Sequence, residues 1–433
     1  MSATTIGIIG IVSLFALILF RMPIGFLMTI IGAVGFAAIT GIEPALNLLA
    51  KDFFSTFASY ELTVIPLFVL MGQISFHSGI SSRLFDTAYK FIGHRPGGLA
   101  IAAVGSCAAF SAVCGSTTAT AATMAAATLP EMKRYNYKPT LATGVVAAGG
   151  SLGAIIPPSV IFIVYGILTE QSVGKLFMAG ILPGLLLISL FTIVILVWAR
   201  IDPTLGPASS KATWKEKFRS LQGVFETLII FALVLGGLFL GFFTPTEAGA
   251  IGALVTILIA LARRMLTWKK FVTALFETTR TTCMIMIILA GATIFGHFLT
   301  ISRIPNDIAS WVLAMNIPPV FIVFMIVLIY IIGGFFIDSL SYMMLTVPIF
   351  YPLILQLGFD PIWFGVIMVM LTEIGLLTPP VGMNVYVVSG VARNVPLETI
   401  FKGVVPFIAA LLVGILLVAL FPQIALFLPQ MVR

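Results

Sequence analysis

Charged residues are scarce in this chain. Of its 433 residues, 9% are Asp, Glu, Lys or Arg, whereas 60% are hydrophobic, and the mean hydropathy is +1.16. A soluble domain usually contains about 25% charged residues, so this composition excludes an ordinary water-soluble domain. Apolar runs of roughly 17 to 25 residues recur from end to end, and each is long enough to cross a bilayer core of about 30 Å. The sequence therefore predicts an all-α polytopic membrane protein in a lipid bilayer.

Cysteine and histidine are also rare. The three cysteines, Cys107, Cys114 and Cys283, lie in apolar segments without the spacing of a disulfide framework or a metal site, so we predict that they are packing residues. The three histidines are dispersed. The sequence contains no GxxxxGK(S/T) loop, no HExxH helix and no DDxxD cluster, which argues against ATP hydrolysis, zinc proteolysis and prenyl transfer. We therefore expect no enzyme and no catalytic residues.

The net charge of +7 is concentrated in Lys and Arg residues between the apolar runs. Basic groups stand, for example, at Lys133, Arg134 and Lys138 and within residues 200–219. Under the positive-inside rule, these loops are expected on the cytoplasmic side of the membrane. The charge distribution thus follows membrane topology, and it does not indicate nucleic-acid binding.

A pair of prolines interrupts two of the apolar runs. The sequence GAIIPP at 153–158 is repeated as GLLTPP at 375–380. The same sequence offset relates Leu129-Pro130 to Tyr351-Pro352 and Ser116-Thr117 to Asp338-Ser339. We therefore interpret the chain as two diverged halves joined near residues 202–219.

The loops of the two halves indicate how the halves are oriented. The segment EMKRYNYK at 131–138 carries three basic residues, whereas its counterpart LILQLGFD at 353–360 carries none and has one acid. Equivalent loops are therefore expected on opposite sides of the membrane. This is an inverted-topology repeat, the plan of many secondary transporters, in which substrate and ions bind near the midplane at interrupted helices. A channel is the rival hypothesis, although a channel favours a ring of identical groups around a pore.

The two proline pairs predict helix breaks with a functional role. Proline has no N–H, so each pair frees backbone carbonyls that are costly to leave unsatisfied in lipid. A dehydrated monovalent cation such as Na⁺ can satisfy them, because glycine, serine and threonine surround both breaks. The alternative is a proline kink packed against small residues. The polar centres at 115–118 and 338–339 predict the tips of re-entrant helix hairpins, or a close helix packing of small residues.

Two acids are predicted deepest in the membrane, Asp338 and Glu373. An ionisable group at that depth is a functional hypothesis, since it costs about 3 kcal/mol even on insertion scales. Either acid can act as a proton carrier, a cation ligand or a structural partner. Asp338 is favoured because it is equivalent to Ser116 at the other tip, whereas a helix-to-helix hydrogen bond stays open for Glu373.

Five segments of the sequence resemble one family. They are IPLFVLMG at 65–72, GSTTATAATM at 115–124, GGSLGAIIPPSVIFIVYG at 149–166, TPTEAGA at 244–250 and LLTPPVGMNVYVVSG at 376–390. Together they resemble the large membrane subunit of the tripartite ATP-independent periplasmic (TRAP) transporters. The resemblance implies an elevator-type transporter similar to the ion transporter superfamily, with two inverted repeats, re-entrant hairpins and Pro-broken helices. It also implies Na⁺-coupled uptake of an organic acid, of the sialic acid or C4-dicarboxylate class, across the bacterial inner membrane.

The resemblance further implies two partners, a small four-helix membrane subunit and a periplasmic substrate-binding protein. It divides the chain into scaffold and transport segments, with amphipathic arm helices at 46–60 and 266–279. The expected segments are 1–60 (scaffold helices and arm), 61–200 (first repeat, with its hairpin at 98–129 and its broken helix at 140–168), 201–222 (cytoplasmic linker), 223–282 (scaffold helices and arm) and 283–433 (second repeat, with its hairpin at 318–352 and its broken helix at 361–391).

The resemblance also implies site residues. One Na⁺ is expected at the first tip and break, held by Gly115, Ser116, Thr117, Gly153, Ile156 and Pro158. A second Na⁺ is expected at Gly334, Asp338, Gly375, Thr378 and Met383. The expected substrate contacts are Arg303, Asp338, Ser339, Thr118 and Asn384. Arg303 can grip a carboxylate in bidentate fashion, or it can be a membrane-interface anchor. A proton-coupled organic anion transporter and an anion channel are the alternatives to Na⁺ coupling.

Overall fold

The computed structural model describes residues 2–18, 20, 22–209, 211–315 and 317–431, with the backbone alone at 313. Apart from turns, the regular structure of these residues is helical, so the all-α prediction is confirmed. The helices of the first half are α1 Ala3–Ile18, α2 Ile24–Thr40, α3 Ile42–Phe57, α4 Val64–Ser78, α5 Ile80–Ile92, α6 Gly98–Cys114, α7 Thr117–Arg134, α8 Pro139–Gly150, α9 Leu152–Ile155, α10 Val160–Thr169 and α11 Val173–Ile201.

The second half has a similar series of helices. They are α12 Trp214–Phe231, α13 Gly237–Phe239, α14 Pro245–Ala262, α15 Trp268–Ser302, α16 Ile304–Ala314, α17 Pro319–Gly334, α18 Ser339–Gln356, α19 Pro361–Gly375, α20 Met383–Val391, α21 Leu397–Leu420 and α22 Gln423–Met431. A 3₁₀ turn at Glu61–Thr63 precedes α4, and a π-helical turn at Ala232–Gly236 follows α12. Eight helical stretches of the described residues are long and apolar enough to cross a membrane.

Two helix hairpins, α6–α7 and α17–α18, have sharp tips with local sequence causes. The helix α6 ends because Gly115 adopts a left-handed conformation with φ +62, which glycine tolerates without strain. Ser116 then caps α7 by accepting a hydrogen bond from the backbone N–H of Ala119. At the second tip, Asp338 caps α18 by accepting from the backbone N–H of Ser341 at 3.1 Å. Each tip is therefore the N-terminus of an 18-residue helix.

Both proline pairs coincide with helix breaks. In the first half, α8 ends at Gly150, the short helix α9 ends at Ile155, and α10 begins at Val160. In the second half, α19 ends at Gly375 and α20 begins at Met383. The peptide bonds Pro157-Pro158 and Pro379-Pro380 are both cis. The helix α19 lies at the centre of the protein, since every residue from Ile362 to Gly375 is buried.

The loops that follow the two hairpins lie at opposite ends of the broken helix α8–α10. At its beginning, the Lys138 ammonium pairs with the Asp202 carboxylate at 2.7 Å, so the loop after α7 lies beside the end of α11. At its other end, Tyr165 donates to the Pro361 carbonyl at 2.6 Å, and Tyr351 donates to the Thr169 carbonyl at 3.1 Å. The loop after α18 therefore lies at the far end of the bundle from the loop after α7.

Two helices cross segment boundaries that the sequence predicted. The segment predicted as a linker at 201–222 contains the start of α12, which begins at Trp214 behind a capping box in which Thr213 and Glu216 bond each other's backbone N–H groups. The second arm, predicted at 266–279 as a separate helix, forms the first turns of the 35-residue helix α15. No proline interrupts that helix, whereas the first arm, α3, is separated from α4 by the 3₁₀ turn. The predicted boundary at 282 accordingly falls inside α15.

Candidate functional site

A cavity of about 640 Å³ lies between the two hairpin tips and the helices α4 and α15. The tips contribute Gly115, Ser116, Thr117 and Thr118 from the first half and Asp338 and Ser339 from the second. Met383, at the start of α20, also lines it. Seven of the residues that the sequence analysis singled out, from both halves, thus meet at one cavity.

The first tip is packed tightly on the first helix break. A Cβ atom on Gly115 would lie 2.6 Å from the carbonyl oxygen of Pro158, and one on Gly153 would lie 2.7 Å from the carbonyl oxygen of Ser116. Such distances are shorter than a side chain tolerates, so both positions need glycine. The structure therefore brings together Gly115, Ser116, Thr117, Gly153 and Pro158 of the first expected Na⁺ site.

The second tip makes the matching contact with the second break. A Cβ atom on Gly375 would overlap the carbonyl oxygen of Gly334, so the backbones of α17 and α19 touch here. Gly375 opens GLLTPP as Gly153 opens GAIIPP, and the two glycines therefore have the same role in the two halves. The carbonyl of Gly334 faces the end of α19, where the second Na⁺ site is expected.

The carbonyls of Gly153 and Gly375 lose their helical donors. In each case the residue four positions later is a proline, Pro157 or Pro379, which has no N–H. The N–H three positions later is already bonded elsewhere, from Ile156 to Leu152 and from Thr378 to Ile374. Both carbonyl oxygens are thus available to a cation, and hard monovalent ions favour neutral oxygen ligands of this kind. The residues present therefore fit Na⁺ at both breaks.

Glu373 lies between the two tips, a position that the sequence analysis did not predict for it. Its side chain is fully buried, and Oε1 is 3.4 Å from the hydroxyl oxygens of both Thr117 and Ser339, which donate to it. Oε2 has no hydrogen-bond partner. The sequence signal was an acid inside an apolar run, but the contact with Thr117 joins residues 256 positions apart and cannot be read from spacing.

The charges around the cavity are acidic. Asp338 and Glu277 line it, and none of the described residues lining it is Lys, Arg or His. Glu277 accepts a hydrogen bond from His77 at 2.8 Å, and His77 itself does not line the cavity. The remaining positive potential comes from the N-termini of α7 and α18, each equivalent to about half an elementary charge. The cavity wall thus combines two acidic side chains with two helix N-termini and, among the described lining residues, no basic side chain.

Besides the residues at the two breaks described above, Arg303, Asn384 and the side chain of Ile156 do not line this cavity. Arg303 is exposed at the junction of α15 and α16, and the helix that separates it from the cavity-lining Ile285 is about 27 Å long at the usual rise per residue. Asn384 is buried, and its Nδ2 donates to the Ala147 carbonyl at 3.3 Å, whereas its Oδ1 has no partner. The side chain of Ile156 packs on Gly184. The structure therefore does not bring Arg303 to the other expected substrate contacts.

Thr378 lies at the second break, where its hydroxyl donates to the Ile374 carbonyl at 2.5 Å. The lone pairs of the oxygen stay available, so this bond is compatible with an ion ligand. The helices α4 and α15 contribute polar lining residues that the sequence analysis missed, namely Gln73, Glu277 and Thr281. They lie in apolar helices, Gln73 in the predicted first repeat and Glu277 and Thr281 in the predicted scaffold, and they reach the cavity only through tertiary packing.

Comparison with known proteins gives a match over nearly the whole chain. The family model "Tripartite ATP-independent periplasmic transporter, DctM component" matches residues 11–424. The C4-dicarboxylate TRAP transporter large permease protein DctM of Pseudomonas aeruginosa is 38% identical, over 88% of this chain and 89% of that protein. The sialic acid TRAP transporter large permease protein SiaM of Vibrio cholerae is 33% identical, over 95% of each chain.

The fold is also similar to a solved transporter structure. The YdaH transporter of Alcanivorax borkumensis superposes with a TM-score of 0.61, over 88% of this chain and 89% of that chain. The sequence identity is 16%, so the likeness concerns the fold alone.

Proposed function

The chain belongs to the DctM family, the large membrane subunits of tripartite ATP-independent periplasmic transporters, and we propose that it performs Na⁺-coupled uptake of an organic acid. The substrate class is a carboxylate such as a C4-dicarboxylate or sialic acid, which are the substrates in the names of the two relatives. A periplasmic binding protein delivers the substrate, and the chain works in the bacterial inner membrane.

The charge of the cavity carries this proposal. An organic acid that enters between the tips meets Asp338 and Glu277 and no basic side chain among the described lining residues. Its carboxylate is attracted only by the N-termini of α7 and α18. Two bound Na⁺ ions next to the tips supply the missing positive charge, so that substrate binding and Na⁺ binding stabilise the same state.

In this proposal, the two Na⁺ ions bind where each hairpin tip packs against its helix break. The first is held by main-chain oxygens around Gly115 and Gly153, and the second by those around Gly334 and Gly375, with the hydroxyl of Thr378 as a further ligand. Ser116, Thr117 and Asp338 stand next to these positions at the cavity wall. When Na⁺ is bound there, it supplies charge that screens the substrate carboxylate from the protein's own acids.

Alternating access follows an elevator scheme in this proposal. The hairpins and broken helices form a transport body that carries both tips, whereas α4 and α15 belong to a scaffold. The cavity lies at the border between these two bodies, since residues from both line it. Movement of the transport body along α4 and α15 then exposes the tips to one side of the membrane after the other.

Two partners complete the proposed system. A separate small four-helix membrane subunit braces the scaffold, and the periplasmic binding protein docks on the outer face. The scaffold helices α1 and α2 expose large apolar side chains such as Val12, Phe15, Phe26 and Val34, a surface suited to lipid or to a membrane partner.

Uptake into proteoliposomes tests the proposal. The chain is reconstituted with its small subunit, and labelled organic acids are offered with candidate binding proteins under a Na⁺ gradient, a proton gradient or neither. We expect saturable uptake that requires the binding protein and the Na⁺ gradient. Uptake driven by the proton gradient alone favours the proton-coupled alternative, and non-saturable flux without Na⁺ favours an anion channel; either result overturns the proposal.

A further inference from the structure

The two hairpin tips meet at a single carboxylate. Thr117 and Ser339 are the first residues of α7 and α18, and they are equivalent under the sequence offset that relates the two proline pairs. Both hydroxyl oxygens lie 3.4 Å from the same atom, Oε1 of Glu373. Ser339 also lies 3.3 Å from the Thr372 carbonyl on the same helix as Glu373. Equivalent groups of the two halves thus share one acceptor.

The acceptor itself has no counterpart in the first half. The position equivalent to Glu373 under the same offset is Ser151, whose hydroxyl donates to the Ala148 carbonyl close by in sequence at 2.6 Å. In the described part of the chain, no hydrogen bond or ion pair joins the two tips directly. The two equivalent hydroxyls are therefore connected through a side chain that has no counterpart at the equivalent position of the first half. The internal repeat alone does not explain Glu373.

The carboxyl group of Glu373 contacts both tips. None of the ion pairs among the described residues involves Glu373, so no basic side chain compensates its carboxylate. The groups that contact it are the two hydroxyls in the first turns of α7 and α18. If one tip moves away, the carboxyl group loses one of these two donors and keeps only the other.

The contacts of this carboxylate are suited to adjustment. The two distances of 3.4 Å are long for hydrogen bonds between oxygens, which usually measure about 2.7 to 2.8 Å, and Oε2 has no partner at all. A buried acceptor that only fixed the fold is expected to be fully paired, because an unsatisfied polar group is costly. The carboxylate is thus held loosely between two donors.

We propose that Glu373 is a positioning residue that links the two hairpin tips, so that ion binding at one tip alters ion binding at the other. This inference rests on the proposed function, because it assigns the coupling between the two proposed Na⁺ positions to this carboxylate. When an ion draws the first tip towards its break, Thr117 shifts, Glu373 follows, and Ser339 is repositioned at the second tip. The two positions then fill cooperatively.

A double-mutant cycle in two backgrounds tests the link. The full chain, purified with its small subunit, is titrated with NaCl at constant ionic strength, and thermal stabilisation gives the Na⁺ concentration at the midpoint. Thr117→Val, Ser339→Ala and the double variant are compared in the native protein and in the Glu373→Leu background. We expect the double variant's midpoint to differ by more than about threefold from the product of the single effects in the native protein only. Multiplicative effects in both backgrounds overturn the link.

Two conservative variants of Glu373 distinguish the effect of side-chain length from the effect of the carboxyl group. Glu373→Gln keeps the length and an acceptor oxygen, so the two tips should stay non-additive, whereas Glu373→Asp keeps the charge but is one methylene shorter and should make them additive. The reverse pattern overturns the geometric link. Because these variants change little volume, they decide the matter even if Glu373→Leu does not fold. No stabilisation by Na⁺ in the native protein overturns the proposed function itself, whereas stabilisation with independent tips overturns only the link.

Discussion

Gly375 and Gly334 touch so closely that any side chain on Gly375 would overlap the Gly334 carbonyl oxygen. This contact joins the end of α19 to the second hairpin tip, and the corresponding contact in the first half joins Gly153 to Ser116. In both halves a carbonyl freed by proline lies next to the backbone of a tip. The proposed ion positions are therefore built from main-chain atoms, and they depend on backbone distance more than on side-chain identity.

The first prediction concerns this distance. Gly375→Ala forces α19 away from the tip, and such overpacking costs about 1 to 3 kcal/mol of stability. We expect Na⁺ to stabilise this variant much less than the native protein in a thermal unfolding assay. Gly390→Ala is the matched control, because nothing lies within 4 Å of the added Cβ there. Unchanged Na⁺ stabilisation in Gly375→Ala would show that no ion binds at this contact.

The second prediction concerns the hydroxyl at the second break. Thr378→Val removes one neutral oxygen ligand at nearly constant volume, and loss of such a ligand is worth about 1 to 3 kcal/mol, or on the order of tenfold in apparent Na⁺ affinity. The measurement is transport rate against Na⁺ concentration in proteoliposomes. Thr293→Val is the control, since that hydroxyl also donates to a carbonyl of its own helix, at 3.0 Å, but does not line the cavity between the tips. Equal Na⁺ curves for both variants would remove Thr378 from the site.

The third prediction concerns the inverted topology. In a Cys283→Ser background, whose other two cysteines are buried, a cysteine at Lys133 should be labelled only from the cytoplasm and one at Gln356 only from the periplasm. Both positions are exposed, and the loops next to them lie at opposite ends of α8–α10. The measurement is labelling by an impermeant maleimide in oriented membranes. Labelling of both positions from one side would contradict the inverted repeat.

The fourth prediction concerns the ion pair between the loop after α7 and the end of α11. The hydrogen bond from Lys138, with help from Thr204, lowers the pKa of Asp202 from 3.8 to about 2. Because the folded-state pKa is depressed, the stabilisation is complete above pH 4 and is lost as the pH falls towards 2. The difference in melting temperature between the native protein and Asp202→Asn should be constant from pH 7 to 5 and shrink below pH 4. Loss of the difference between pH 7 and 5 would implicate another group.

The helix breaks and the hairpin tips were the structural features most easily predicted from the sequence, because their causes are local. Proline removes a donor and glycine permits a left-handed turn, so GAIIPP and GLLTPP indicated where α9 and α19 end. The capping box at Thr213 is also local, but the sequence analysis did not use it to predict the start of α12 within residues 201–222. The sequence did not reveal that α15 is continuous, because the amphipathic segment at its beginning was interpreted as a separate arm helix.

The residues that form the site were harder to predict from the sequence, because only tertiary packing brings them together. Glu373 and Glu277 reach the tips and the cavity from helices far away in sequence, and no spacing rule connects them to Thr117 or Ser339. Arg303 shows the opposite case. Its residue type suits a carboxylate, yet the length of α15 places it well away from the cavity.

The most direct test of Na⁺-coupled uptake is to measure sodium entry and substrate entry in the same experiment. Proteoliposomes that contain the chain and its small subunit receive radioactive sodium outside, with the membrane potential clamped, and the organic acid and its binding protein are added together or singly. We expect sodium to enter with the substrate in a fixed ratio, and neither to enter when the substrate or the binding protein is left out. Substrate accumulation without sodium entry would contradict this expectation.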